Sequence, residues 1–359
     1  MRSPEELRDW LGLLSVPGIG AVRCNQLLRE FGCPRQVLRA DRRRLLTVEG
    51  IADRTVSALL GGGDPWFIDR QLDVCQRLGA AIVCQDEPEY PPLLRQLVDA
   101  PPLLFVRGAL RTGDSRCVAV VGSRTASQYG KRMAETLGRD LASRGFTVAS
   151  GMARGIDTAA HAGALDAGGR TVAVLGCGAD RCYPPENAGL RDRIIERGAV
   201  ISEYPFGAAP LAGHFPSRNR IITGMSLGTV AVEAREDSGV FSSVRWASDQ
   251  GREVFSVPGP ATSATSRGTN RLIKQGAKLV QGIDDILEEL PVESAPAPPR
   301  PEPEPCERPV FDALRDAPLH IDLIAQGSKL NTAAALRILL ALELKGMARQ
   351  LPGKLFARA

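Results

Sequence analysis

Histidine is scarce in this chain and its cysteines are unpaired. Three histidines and eight cysteines form no C-x-x-C pair and no Cys/His group at metal spacing, so neither a zinc site nor a disulfide framework is expected, and the cysteines read as reduced packing residues. No metal and no cofactor is called for. Long apolar runs are missing too, since none approaches the roughly 20 residues that cross a bilayer. The first ten residues, MRSPEELRDW, are charged, and LGLLSVPGIG after them is too short and glycine-broken for a signal core. A cytoplasmic protein with no membrane partner is the expectation. The last absence is local: no Asp or Glu occurs between Glu203 and Glu233. In a chain of 45 Lys and Arg against 41 Asp and Glu, net charge +4, that gap concentrates positive potential where a phosphate-bearing ligand could sit.

Inside the gap lies Gly213 to Ser226, GHFPSRNRIITGMS, with Phe215 beside Arg218 and Arg220. Aromatic faces accept any base and guanidinium groups track a backbone, which is the chemistry that grips a single nucleic acid strand. An Arg-rich surface loop with one buried Phe reads equally well from this segment alone.

Organisation follows from punctuation. Residues 1–82 are helical and carry SVPGIGAVRCNQLL and TVEGIADRTVSALL, two turns of the SAM/helix-hairpin-helix kind. Such a turn lets backbone N–H groups approach a phosphate. Ala52 stands where the second turn needs its second glycine, so protein contacts and duplex DNA binding are both open for this domain. Residues 291–309, PVESAPAPPRPEPEPCERP, hold eight prolines and read as an extended interdomain linker. Residues 310–359 predict helices over Phe311–Leu314, His320–Gly327 and Thr332–Lys345 followed by a hairpin, a winged-helix-like module whose stripe Leu336, Leu339, Leu340, Leu342 is expected in its core. DNA and protein docking stay open for this module as well.

Between these flanks, residues 83–290 alternate short Val/Ala strands (117–122, 146–151, 171–176, 199–203, 229–234, 253–259) with amphipathic helices such as the one carrying Met133, Leu137 and Leu141. Apolar throughout, the strands must be buried on both faces, so the fold class is α/β, a Rossmann-like doubly wound parallel sheet. Ligands of such sheets sit at the carboxyl ends of the strands. The loops there are GSRTASQYG (122–130), SGMARGIDTAAH (150–161), GCGADRCYPPEN (176–187) and the GHFPSRNRII segment. Their glycines would let amides close on a phosphate, Ser123 and Ser150 would add hydroxyl donors, and Arg124, Arg154 and Arg218 would add bidentate charge; Gly122 and Gly151 belong to the same set. Neither GSRTAS nor GCGADR has dinucleotide spacing, which argues against a nicotinamide cofactor. Asp157 is expected to cap a helix, with His161 one turn on; a catalytic pair is the weaker reading. Glu233 ends a buried strand, where pairing with Arg220 or Arg235 would explain it.

These motifs, with ISEYPFG, VEAREDSG, GREVFSVPG and GTNRLIKQGA in the same order, resemble the DNA processing protein A (Smf) family from about Tyr90 to Val280. The resemblance implies a non-enzymatic bacterial protein that binds and protects single-stranded DNA as a homodimer and loads the RecA recombinase during natural transformation and recombination. Its binding residues carry over to Gly122, Ser123 and Arg124 and to Phe215, Arg218 and Asn219. On that resemblance Phe215 stacks on a base, Arg124 and Arg218 meet phosphates, and Asn219 and Arg220 brace the loop. The chain departs from the family at SGVFSSVRW (238–246), where a small-Leu-Ile-Thr-Ala run is expected. The alternative is a nucleotide phosphoribohydrolase-like enzyme on the same fold, against which MSLGTVAVE lacks the double glycine of that group's PGGxGTxxE signature.

Overall fold

The computed structural model describes residues 2–290, 303–315 and 317–358, which fall into two compact units, Met1–Pro296 and Ala297–Ala359. Most of the expected proline-rich linker, 291–302, lies outside the described residues.

The first unit opens with six helices, α1 Pro4–Ser15, α2 Ala21–Phe31, α3 Pro34–Leu38, α4 Arg42–Leu45, α5 Asp53–Leu60 and α6 Pro65–Leu78. Gly18 (φ +87°) and Gly50 (φ +76°) make the two hairpin turns in the left-handed region, which side chains with a Cβ seldom enter. Trp10 and Leu11 of α1 share a core with Ile82, Phe105 and Phe206, so this helical layer is packed onto the sheet.

That sheet contains β1 Ala81–Cys84, β2 Leu103–Gly108, β3 Cys117–Val121, β4 Thr147–Ser150, β5 Thr171–Val174, β6 Ala199–Ser202, β7 Gly228–Ala231, β8 Glu253–Ser256 and β9 Lys278–Leu279. Their order across it is β1-β2-β6-β5-β4-β3-β7-β8-β9. From β6 through to β9 all neighbours are parallel, while β2 runs antiparallel to β6 and β1 to β2. The six Val/Ala runs are strands as expected. The antiparallel edge, although β1 (AIVC) and β2 (LLFV) are apolar runs as well, and the two-residue β9 went unread.

Helices α7 Pro92–Arg95, α8 Gln128–Ser143, α9 Ile156–Asp166, α10 Ala188–Arg197, α11 His214–Gly224, α12 Val240–Asp249 and α13 Arg267–Lys274 lie between the strands, and α14 Ile283–Leu287 follows β9. β3 shows why the sheet is covered twice, because alternate side chains point to opposite faces. Val118 and Val120 pack with Leu137, Leu141 and Ile156 of α8 and α9. Cys117, Ala119 and Val121 pack with Ile221, Ile222 and Val240 of α11 and α12.

The second unit is built from α15 Arg308–Ala313, β10 Leu319–His320, α16 Ile321–Ser328, α17 Thr332–Leu344, β11 Ala348–Leu351 and β12 Leu355–Arg358, with sheet order β10-β12-β11. This is a winged-helix arrangement. Helix α15 starts inside the expected linker, because Pro309 occupies its first turn, where no backbone N–H is needed. Of the expected core stripe, Leu339 and Leu342 are fully buried, whereas Leu336 and Leu340 are 46% and 56% exposed. The two pairs lie on different faces of α17, so only one can face the small core.

Candidate nucleic-acid interface

Strand β3 is the topological switch point: chain order runs through β4, β5 and β6 on one side of it, and through β7, β8 and β9 on the other. Connections leave β3 and β7 in opposite directions there, which opens a crevice at their carboxyl ends. A cavity of about 620 Å³ occupies it, lined by Gly122, Ser123 and Arg124 after β3, Asp157 of α9, Tyr183, Phe215, Arg218 and Asn219 of α11, and Arg235 after β7. The strand-end loops therefore converge as expected.

Segment 214–224 is a helix and not the loop its sequence suggested. Pro216 is tolerated because the first turn's N–H groups have no intrahelical partner. Helical spacing then sorts the motif. Phe215, Arg218, Asn219 and Ile222 recur at i, i+3, i+4 and i+7 and all line the cavity. Arg220 points elsewhere, onto Asp99 at 3.1 Å and Glu203 at 2.7 Å, so it braces α11. Asn219, expected beneath the loop with it, faces the cavity instead.

At the rim, the Arg124 guanidinium lies over the Phe215 ring, 5.2 Å from its centroid. The Tyr183 ring stands on Phe215 at 5.4 Å with a 39° tilt. Phe215 is half-buried and Arg124 is exposed. Gly176 lets the ring settle, since a Cβ there would come within 3.0 Å of Phe215 Cδ1.

Arg218 belongs to the floor. It is 3% exposed, and its Nη1 donates to the carbonyls of Gly151, at 2.9 Å, and Val174. Burial, against the counter-charge of Asp157 and with the like charge of Arg124, pulls its pKa down to about 10, which still leaves it cationic at neutral pH. Both neighbours of this guanidinium are explained by it. Gly151 is bare because a Cβ would stand 2.6 Å from Arg218 Cζ. The buried Asp157 carboxylate accepts from the amides of Gly151, at 3.1 Å, and Ala153, at 3.3 Å, which tie the preceding loop to α9 instead of capping first-turn amides. Ser150 is fully buried and its hydroxyl donates to Val120 O at 2.6 Å, so this donor is spent inside the sheet.

Arg154 is exposed and ion-paired with Glu186. Ser123 donates its amide to Glu233 O at 2.8 Å, and its hydroxyl accepts from Thr125 N at 3.2 Å. Gly122 packs against α9, where a Cβ would stand 2.8 Å from Ile156 Cβ. Glu233 pairs with neither Arg220 nor Arg235. Its carboxylate accepts from Ser127 N at 2.8 Å, Ser127 Oγ at 2.6 Å and Thr265 Oγ1 at 3.2 Å, which anchors the start of α8 to the switch point. The charge gap in the sequence is likewise only partly a charge gap in space, because Asp157 and Asp237 line the cavity with Arg124, Arg218 and Arg235.

No Asp157–His161 pair forms. His161 is fully buried with Nδ1 2.6 Å from Thr171 Oγ1, and Thr171 donates to Val148 O at 2.7 Å. The hydroxyl proton is therefore committed, the imidazole must donate from Nδ1, and Nε2 stays unprotonated. Burial and the Arg218 cation push its pKa down to about 3. Between that value and the unfolded value near 6.5 the unfolded chain binds the extra proton, so stability is complete above about pH 6.5 and falls below it. By pH 5 His161 alone is expected to cost about 2 kcal/mol. Burial raises the pKa of Asp157, a contribution of opposite sign, so the measurement is urea unfolding of wild type against His161→Gln at pH 7 and pH 5. Equal pH dependence in the two would refute the assignment.

Likeness to known proteins bears on what this cavity belongs to. The DNA recombination-mediator protein A family matches residues 81–291, and the DprA winged helix domain matches residues 294–354. The chain belongs to the DNA recombination-mediator protein A family. Protein Smf of Synechocystis is 34% identical over 285 residues, 78% of this chain and 72% of that protein. DNA processing protein A of Streptococcus pneumoniae superposes with a TM-score of 0.69 at 33% identity, covering 80% of this chain and 97% of that one. DNA processing protein A of Helicobacter pylori, described with a single-stranded DNA binding mode, gives 0.53 at 29% identity over 58% and 94%.

Membership in this mediator family disfavours the phosphoribohydrolase alternative, and the geometry agrees. Gly228 and Thr229 of MSLGTVAVE lie inside β7, and a Cβ on Gly228 would meet Phe255 Cε2 at 2.6 Å, so this glycine serves sheet packing and not a ribose phosphate. The SGVFSSVRW departure leads into α12, and Ser238 just before the helix and Ser242 and Ser243 within it line the cavity. Tyr183 and Arg235 also line it and went unread in the sequence. A polar loop aromatic between Cys182 and a proline was the available signal for Tyr183. Among the described residues no helix is long and apolar enough to cross a membrane.

Proposed function

We propose that this protein binds single-stranded DNA in the switch-point crevice, protects the strand, and passes it to the RecA recombinase in natural transformation and recombination. One observation carries the reading: an exposed arginine and an aromatic ring, Arg124 and Phe215, share the rim of one cavity. The binding described for the Helicobacter pylori relative supports it. Phe215 stacks on a base while Arg124 leaves the ring for a phosphate. Gly122 and Ser123 set the height of that loop. Arg218 with Gly151 and Ser150 holds the floor rigid, and Arg220 fixes α11. Arg154 meets the backbone once Glu186 releases it. A homodimer would double the trough and raise affinity through effective concentration. The role is binding, without bond-making, in the cytoplasm; the outer domains would contact duplex DNA or protein.

The test is a salt titration of oligo-dT against duplex of equal length. Arg124→Ala is expected to lower the slope of log K against log salt by about 0.7 to 1, one phosphate contact. Unchanged affinity and slope would remove Arg124 from the site.

A further inference from the structure

Resting on the single-strand reading above, we infer that Tyr183 is a second stacking platform, which receives the nucleobase next to the one on Phe215. The chain has four tyrosines; Tyr90 and Tyr129 spend their hydroxyls on the protein, on Pro101 O at 2.7 Å and Pro258 O at 2.9 Å, and the Tyr204 ring is stacked on His214 at 3.9 Å. No hydrogen bond to the Tyr183 hydroxyl is found among the described residues, and the residue is 39% exposed. At this exposure water can satisfy the hydroxyl, so the polar end needs no protein partner and the ring presents its apolar body at the rim.

Its position fits that use. Tyr183 lines the main cavity and also a smaller recess with Arg154 and Pro184. Arg124, Phe215 and Arg218 border both, so the paired rings form a partition that a strand must cross. With one neighbour of Phe215 being the Arg124 guanidinium, the more open ring at the crossing is Tyr183. The ring centroids are 5.4 Å apart and tilted by 39°, wider than the roughly 3.4 Å rise between stacked nucleotides of a duplex. Two bases seated on these rings are splayed from each other, which an unpaired strand permits and a duplex does not.

The experiment measures oligo-dT binding by wild type, Tyr183→Leu and Tyr183→Phe, each checked for folding by thermal melting. Leucine keeps apolar bulk without a π face and is expected to bind about fivefold more weakly, the low end for one base on one ring; phenylalanine is expected to match wild type. In oligo-dT carrying a single abasic nucleotide at successive positions, the leucine defect should disappear at one position, distinct from the position at which a Phe215→Ala defect disappears. Leucine binding as tightly as wild type overturns the inference and leaves the single-strand reading standing. Wild type failing to bind oligo-dT overturns that reading first. If the leucine variant does not fold, Tyr183→Trp decides: quenching of its fluorescence on saturation supports stacking, and an unquenched signal with intact binding overturns it.

Discussion

Arg218→Ala is expected to destabilise the protein by about 2–5 kcal/mol, the cost of leaving two buried carbonyls without their donor and a nearby buried carboxylate without its counter-charge. Two carbonyls, Gly151 O and Val174 O, lose their donor, and the Asp157 carboxylate loses the cation that opposes its own burial. Each is a polar group that water cannot reach without opening the floor. Urea denaturation checks it, with Gly151→Ala as a companion, because the added Cβ would stand 2.6 Å from Arg218 Cζ and must push the guanidinium off its carbonyls. Gly151→Ala should therefore weaken oligo-dT binding without touching the strand. A folded Arg218→Ala protein of wild-type stability that no longer binds oligo-dT would make Arg218 a direct phosphate contact instead.

Phe215→Ala is expected to weaken oligo-dT binding by about 1–3 kcal/mol, roughly 5- to 150-fold, with little change for duplex. Stability should fall less than for a core phenylalanine, since the ring is only half-buried. The substitution also removes the resting place of Arg124. The salt slope should nonetheless remain, because the charge is still present; a lost slope would mean that the ring positions the arginine. Equal binding by wild type and variant would make Phe215 a packing residue and end the stacking account.

The outer modules show where local sequence runs short. The hairpin turns and the winged-helix order were readable from glycines and helical runs, yet Leu336 and Leu340 point away from the core that takes Leu339 and Leu342. A helix apolar on several faces does not say which face finds a partner.

At the centre, the sequence by itself determined the parallel sheet and the place of the crevice at its strand ends. Val/Ala runs can be satisfied only by burial on both faces, and crossover connections then leave their loops at one edge. It also marked Arg124 and Phe215. What the tertiary structure alone decided is how the charges are used. Arg218 and Arg220 look alike in the string RNR, but a helix turns residues two apart by about 200°, sending one under the cavity and the other to Asp99, more than a hundred positions earlier in the chain. Glu233 found hydroxyls instead of an arginine, and Tyr183 reached Phe215 from another loop. Pairings of this kind join residues distant in sequence, and electrostatic partners are chosen by proximity in space, which no local pattern encodes.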